Sequence, residues 1–241
     1  MQNPLLAAWT SPYGLPPFAA TRPEHFAPAF EAAFAEHRAE LDAIASNPEP
    51  ATFANTVAAF DRAGWKFARF GEMFWNLSAA HTNAALEAVE RELAPKIAMH
   101  QSAVYMHQAL FARIDAVIHS PEMQSLTSED RRLAERVHLD FVRQGARIAA
   151  DQRGRYAAIV GELAALSTQF SQNVLKDETD WVLWLDDESS RAGLPADVLN
   201  AARAAATERG RSGGYAITLS RSSVVPFITF STRRDLRKVA F

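Results

Sequence analysis

From Phe26 onward, apolar side chains recur at steps of three and four residues for about 150 residues, and that period admits helices and little else. Phe26, Phe30, Phe34, His37, Leu41 and Ile44 form the first row. It predicts a helix that begins between Pro23 and Pro28 and is stopped by Asn47-Pro48. Thr52 is placed to cap a second helix, with Phe53, Val57, Phe60, Phe67, Phe70, Phe74 and Leu77 on its inner face and Trp65 and Trp75 beside them. An aromatic stripe of this kind could line a ligand cleft. At helical spacing it reads as core, because such a stripe normally buries itself. Thr82 or Asn83 opens a helical stretch to about His119 with Pro95 inside it. Proline has no N–H to donate towards Arg91 and its ring crowds the preceding turn, so a bend or break is expected there. Thr127, with Asp130 three residues on, resembles a capping box. The helix it starts carries Leu133, Val137, Phe141 and Val142, and a further helix from about Ala150 to Leu175 carries Tyr156, Ile159, Leu163, Leu166 and Phe170.

The two ends have a different texture. Residues 1–22 are rich in proline and read as an extended leader, packed across a surface by Leu5, Leu6, Trp9, Tyr13, Leu15 and Phe18. After Asp180, the runs Trp181–Leu185, Tyr215–Leu219 and Phe227–Phe230 are short and rich in strand formers. A helix from about Pro195 to Glu208 separates the first two, with Pro195 suited to its first turn. Ser231 can cap a last helix, which meets no stop signal before Phe241 and so reads as cut off. The expected fold class is mainly α: a leader (1–22), a helical bundle (23–179) and a small α+β segment (180–241) truncated at its C-terminal end.

Composition excludes several function classes. Hydrophobic residues make up 48% of the 241 and charged residues 22%, the balance of an ordinary globular chain. Net charge is −3 and the basic residues are scattered, so nucleic acid is not an expected partner. No apolar run approaches the roughly 18 residues of a membrane span. The N-terminus lacks the basic and apolar regions of a secretory signal. The expected location is therefore the cytoplasm, and the sequon Asn76-Leu77-Ser78 reads as chance. With no cysteine, disulfides, thiolate metal sites and cysteine nucleophiles are excluded.

The standard catalytic constellations are missing. There is no phosphate-binding loop, no nucleophile elbow and no HExxH, the motif that sets two zinc-binding imidazoles one helical turn apart. His100 and His107 stand seven residues apart, a helical rise of about 10 Å. Two nitrogens on one zinc can be no more than about 4.2 Å apart, so this pair is expected on a helix surface and not on a metal. Glu135-Arg-Val-His138 matches half of a di-iron element, but that chemistry needs a second copy and two further glutamates. His25, His37, His81 and His119 form no recognisable triad. Arg131-Arg132 and Arg233-Arg234 read as solvated surface in preference to anion sites. No catalytic or metal-binding residue is assigned to this chain, and its substrate-facing residues are unknown.

Asn3-Pro4-Leu5-Leu6 with Leu15-Pro16-Pro17-Phe18 resembles the opening of the thimet-oligopeptidase-like zinc metallopeptidases. Ala39–Pro48, Ala79–Asn83 and Leu110–Val117 look like the bacterial peptidyl-dipeptidase branch, and Phe170–Leu175 and Thr229–Arg237 resemble two further family blocks in the same order. The resemblance implies an almost wholly helical enzyme of two parts with a deep channel between them. In that family a single zinc on an HExxH helix activates water against a peptide bond, and substrates are short oligopeptides. It further implies that this chain is the N-terminal third, forming a channel wall or lid, with zinc and its ligands in a missing C-terminal catalytic part and none bound here. Cleavage of dipeptides from the C-terminus is the expected activity of the whole; the oligopeptidase branch and a free-standing binding module without catalysis are the alternatives. A fragment should also expose an apolar patch, expected between Trp181 and Phe230.

Overall fold

Helix α1 (Phe26–Ala45) buries the face its period marks out, with Phe26, Phe30, Phe34, Leu41 and Ile44 all inside. The computed structural model describes residues 3–241. They form two compact units, the first ending at Thr168 and the second comprising Gln169–Phe241. The fold is mainly α, as expected, with one small two-stranded ribbon.

The second expected helix is broken. Thr52 does cap it, accepting the Asn55 N–H at 3.2 Å, and a π-helical turn (Phe53–Val57) leads into α2 (Ala58–Arg62). Ala63 is then extended and Gly64 sits at φ +75° before α3 (Trp65–Ala80) begins. That left-handed angle is one that side chains with a Cβ resist. The break divides the aromatic stripe: Phe53, Val57 and Phe60 pack in one cluster, Phe67, Phe70, Phe74 and Leu77 in another. The stripe is core, apart from Trp65 and Trp75, which are exposed.

Asn83 caps α4 (Ala84–Tyr105), its Oδ1 accepting the N–H groups of Ala85 and Leu86, each at 3.1 Å. Of the bend or break expected at Pro95, the break does not occur: α4 continues through the proline. Leu93, Ala94 and Ile97 are buried around the proline, and that packing offsets the one lost hydrogen bond. The interruption falls instead at Met106-His107, before α5 (Gln108–Ile118). Thr127 Oγ1 accepts the Asp130 N–H at 3.1 Å and starts α6 (Ser128–Arg143). Helix α7 (Arg153–Asp180) runs across the division between the units.

The first unit has two apolar clusters, and α1 and α4 serve both. Phe26, Phe30 and Phe34 of α1 join Leu86, Leu93 and Ile97 of α4 in the first, together with Leu5 from the leader. Leu41 and Ile44 join Val104, Ile114, Val137 and Phe141 in the second. Phe30 is fully buried and meets Phe67, Phe70 and Phe74 edge to face at 6.0, 6.4 and 6.0 Å. Such ring pairs add about 0.5–1.5 kcal/mol each beyond area burial. Of the leader side chains, Leu5 is buried and Trp9 half-buried, while Leu6, Tyr13, Leu15 and Phe18 are exposed.

In the second unit, β1 (Leu183–Trp184) pairs antiparallel with β2 (Ala216–Ile217), setting Leu183 opposite Ile217 and Trp184 opposite Ala216. Helix α8 (Ala196–Glu208) follows Pro195 as expected. The strand expected at Phe227–Phe230 is helical, part of α9 (Arg221–Phe230). Val224, Phe227 and Ile228 stand three and four apart and all pack with Leu185, Val198 and Ile217, so helical amphipathicity overrides the strand propensity of the run. The last helix, α10, spans Arg234–Ala240, and Ser231 Oγ accepts the Arg233 N–H at 3.2 Å just before it.

Candidate functional site

Among the described residues, no three His, Asp or Glu side chains gather where they could hold a metal ion. The histidines have other tasks. His25 Nδ1 accepts the Arg22 N–H at 3.0 Å, and His81 ends α3 with its N–H on the Leu77 carbonyl at 2.9 Å. His107 Nδ1 accepts the Leu110 N–H at 3.2 Å and so caps α5, while its Nε2–H points to Asp42 Oδ1 at 3.2 Å. His138 donates from Nε2 to Asp115 Oδ1 at 2.9 Å, and His119 donates to the Asp115 carbonyl at 2.8 Å. Glu135 faces Arg132 at 3.7 Å, so the Glu-x-x-His element converges on nothing. Arg131, expected in solvent, donates to the carbonyls of Met123, Gln124 and Leu126 and closes the turn before α6. Arg233 chelates Asp235 through both oxygens at 3.0 and 2.6 Å and holds that carboxyl down to about 2.

The surface position expected for His100 is overturned: only 5% of it is exposed. It lies on α4 between Ile97 and Val104, and His37 lies on α1 between Phe34 and Leu41, so each stands where one apolar cluster gives way to the other. His37 Nδ1 and His100 Nε2 share a hydrogen bond of 3.0 Å. His100 sits 4.6 Å from the Phe34 ring and 5.2 Å from Phe67, and His37 stacks on Phe67 at 6.0 Å. His100 Nδ1 has no partner.

The break at Gly64 builds this box. The Gly64 N–H donates to Glu40 Oε2 at 2.7 Å, and a Cβ on Gly64 would stand 2.8 Å from the His37 ring. Burial disfavours the imidazolium form, so His100 titrates down at about 4, with His37 and Arg38 adding repulsion. His37 is lowered too, by burial that outweighs the attraction of Glu40. Two neutral rings sharing one proton, with no hydroxyl or carboxylate in line, offer no nucleophile and no oriented base. One sequence signal pointed here: His37 occupies an apolar register position on α1.

A different surface feature stands out on α7, where Gly161 and Thr168 are the buried residues. Ile159, Leu163, Leu166, Phe170 and Val174 follow at steps of three and four and are all exposed, Leu163 at 58%, Leu166 at 55% and Phe170 at 70%. The apolar exposure expected between Trp181 and Phe230 is confined there to Val225 and Phe230; the longer row precedes it. Among the described residues, no helix is long and apolar enough to cross a membrane.

No family model matches the chain. Over 239 residues, 99% of its length, it is 32% identical to a dipeptidyl carboxypeptidase of Escherichia coli K12, of which it covers 35%. The dipeptidyl carboxypeptidase of Salmonella typhimurium is 31% identical over 239 residues, again 99% of this chain and 35% of the relative. An oligopeptidase A of Haemophilus influenzae is 28% identical over 238 residues, 99% of this chain and 34% of the relative. The chain thus spans about a third of the length of the curated relatives it matches.

Proposed function

Because this chain is a homologue of the dipeptidyl carboxypeptidases and oligopeptidases A, in a thimet-oligopeptidase-like family, we propose that it is the N-terminal portion of a cytoplasmic zinc-dependent peptidyl-dipeptidase. The whole protein removes dipeptides from the C-terminus of oligopeptides. This portion forms a wall or lid of the substrate channel and supports a catalytic part encoded further along the polypeptide. The observation that carries the reading is a match that runs through 99% of this chain and covers about a third of each of these relatives.

Zinc supplies an activated water and charge stabilisation when bound in such an enzyme. The residues here do not fit it: the sequence has no HExxH, and the described residues contain no three-ligand group. No catalytic step is therefore assigned to this chain. Its contribution is shape and support. The exposed apolar row on α7 favours that role, since an uncovered apolar helix face marks a surface that another segment covers.

The test compares the 241-residue chain with a polypeptide extended past Phe241 to the length of the relatives. Both receive zinc and a quenched oligopeptide. The extended protein should release C-terminal dipeptides, stop when a chelator is added and spare peptides with amidated C-termini, while the shorter chain stays at background. Chelator-sensitive turnover by the 241-residue chain alone would overturn the assignment, and a stop codon directly after Phe241 would favour a binding module instead.

A further inference from the structure

Helices α9 and α10 of the second unit border an open cavity of about 720 Å³, lined by Ile228, Arg234, Asp235, Arg237, Lys238 and Phe241. Arg234, Arg237 and Lys238 bring three positive charges to it. The one acidic lining residue, Asp235, already gives both carboxylate oxygens to Arg233. Among the described residues, none of the three cationic side chains makes a hydrogen bond or an ion pair.

Local helix chemistry does not account for this grouping. Arg234 is the first residue of α10, where the positive end of the helix dipole disfavours a cation. Arg237 and Lys238 follow it by three and four residues, so both neighbour Arg234 on the helix surface, and like charges at that spacing repel. Arg237 is also half-buried, and its Nε is buried with no acceptor. A charged donor held out of water without a partner is costly, and its presence in a fold calls for an explanation. An anion in the cavity answers the repulsion, the dipole and the burial together.

We propose that this cavity binds a phosphoryl group, carried by free phosphate or by a phosphate monoester. Arg234, Arg237 and Lys238 neutralise it, and Ile228 and Phe241 give the organic body of a monoester an apolar surface to rest on. The charge count favours phosphate over carboxylate. A carboxylate brings one charge and two oxygens, whereas a phosphate monoester brings about 1.5 to 2 charges and three strong acceptor oxygens near pH 7. Guanidinium forks also match phosphate geometry through paired hydrogen bonds.

The test uses the 241-residue chain without zinc, so its outcome does not depend on the catalytic reading. Phenyl phosphate, inorganic phosphate and benzoate are each titrated by calorimetry in a phosphate-free buffer. Phenyl phosphate should bind saturably and at least about tenfold more tightly than benzoate, the equivalent of one charged hydrogen bond. Inorganic phosphate separates the two sources. An affinity equal to that of phenyl phosphate, or higher, assigns the site to the free ion, and a lower one to a monoester. Arg234 and Lys238 are exposed, so Arg234→Gln and Lys238→Gln keep the fold, and each should weaken phenyl phosphate at least about fivefold. Arg221→Gln removes a charge from α9 outside the cavity lining and should bind as the wild type does. Absence of saturation by phenyl phosphate, equal affinity for benzoate, or unchanged affinity in both folded cavity variants would each overturn the site. So would a loss in Arg221→Gln as large as that in Arg234→Gln, because it would reduce the effect to net charge.

Discussion

Lowering the pH from 7.5 to 5 asks the pair formed by half-buried His37 and buried His100 to accept a proton that its surroundings exclude. In the unfolded chain the His100 imidazole titrates at its ordinary 6.5; in the fold, burial first and the charges of His37 and Arg38 second bring it down to about 4. Between those values the unfolded chain binds more protons than the folded one. Stability is therefore complete above pH 6.5 and is lost as the pH falls towards 4. For a single site shifted this far the loss is about 2 kcal/mol at pH 5 and about 3 kcal/mol at pH 4. His37 is lowered for the same leading reason and adds in the same direction. Urea unfolding followed by circular dichroism at pH 7.5, 6 and 5 measures the loss. The comparison is a double variant, His37→Leu with His100→Leu, in which the box is apolar and cannot titrate. The wild type should fall by about 2 kcal/mol relative to the double variant between pH 7.5 and 5. A difference below about 0.5 kcal/mol would refute the reasoning, because it would mean that His100 gains its proton in the fold as easily as outside it.

Gly64→Ala should destabilise the chain by about 2 kcal/mol or more, since it combines a left-handed backbone angle with a Cβ pressed against the His37 ring; an unchanged urea midpoint would contradict this. Leu163→Ser with Leu166→Ser on α7 should shift the stability of the 241-residue chain by no more than about 0.5 kcal/mol per site, because both side chains are exposed. A large drop in melting temperature would show that this face is covered within the chain itself. The 241-residue chain with added zinc should hydrolyse oligopeptides at background rate, checked with the quenched substrate beside a chelator control.

Much of the architecture was legible because helical period and caps are local signals. The α1 row, the Thr52 and Asn83 caps and the Thr127 start all lie within a few residues of what they control. The misreadings share a cause in tertiary packing. Gly64 sits inside an unbroken periodic row, so the pattern gives no sign of a turn; the turn needs its left-handed angle, and His37 separately occupies the space a side chain would fill. Pro95 carries the stronger local break signal, yet α4 passes through it because Leu93, Ala94 and Ile97 are buried on either side. The actual break uses His107 as its cap, an imidazole where Ser, Thr, Asp or Asn is the usual choice. For the site, the eye is drawn to His100 and His107, which are close in sequence. The true partner of His100 is 63 residues away, a separation at which no local rule operates.

That α1 and α4 each supply both apolar clusters has a consequence for synthesis. Phe26, Phe30 and Phe34 leave the ribosome well before Ile97, the last buried residue of the first cluster, while the second cluster is complete only with Ala146. At about 5–20 residues per second, the interval to Ile97 is roughly 3–13 s. For its first part the aromatic row has nothing to cover it; Phe67, Phe70 and Phe74 of α3 then reach it, and it waits for Leu86, Leu93 and Ile97 of α4 to complete the cluster. A gene split between α3 and α4 would leave that row packed on α3 but without Leu86, Leu93 and Ile97, so the first cluster would be complete only when the two fragments assembled with each other.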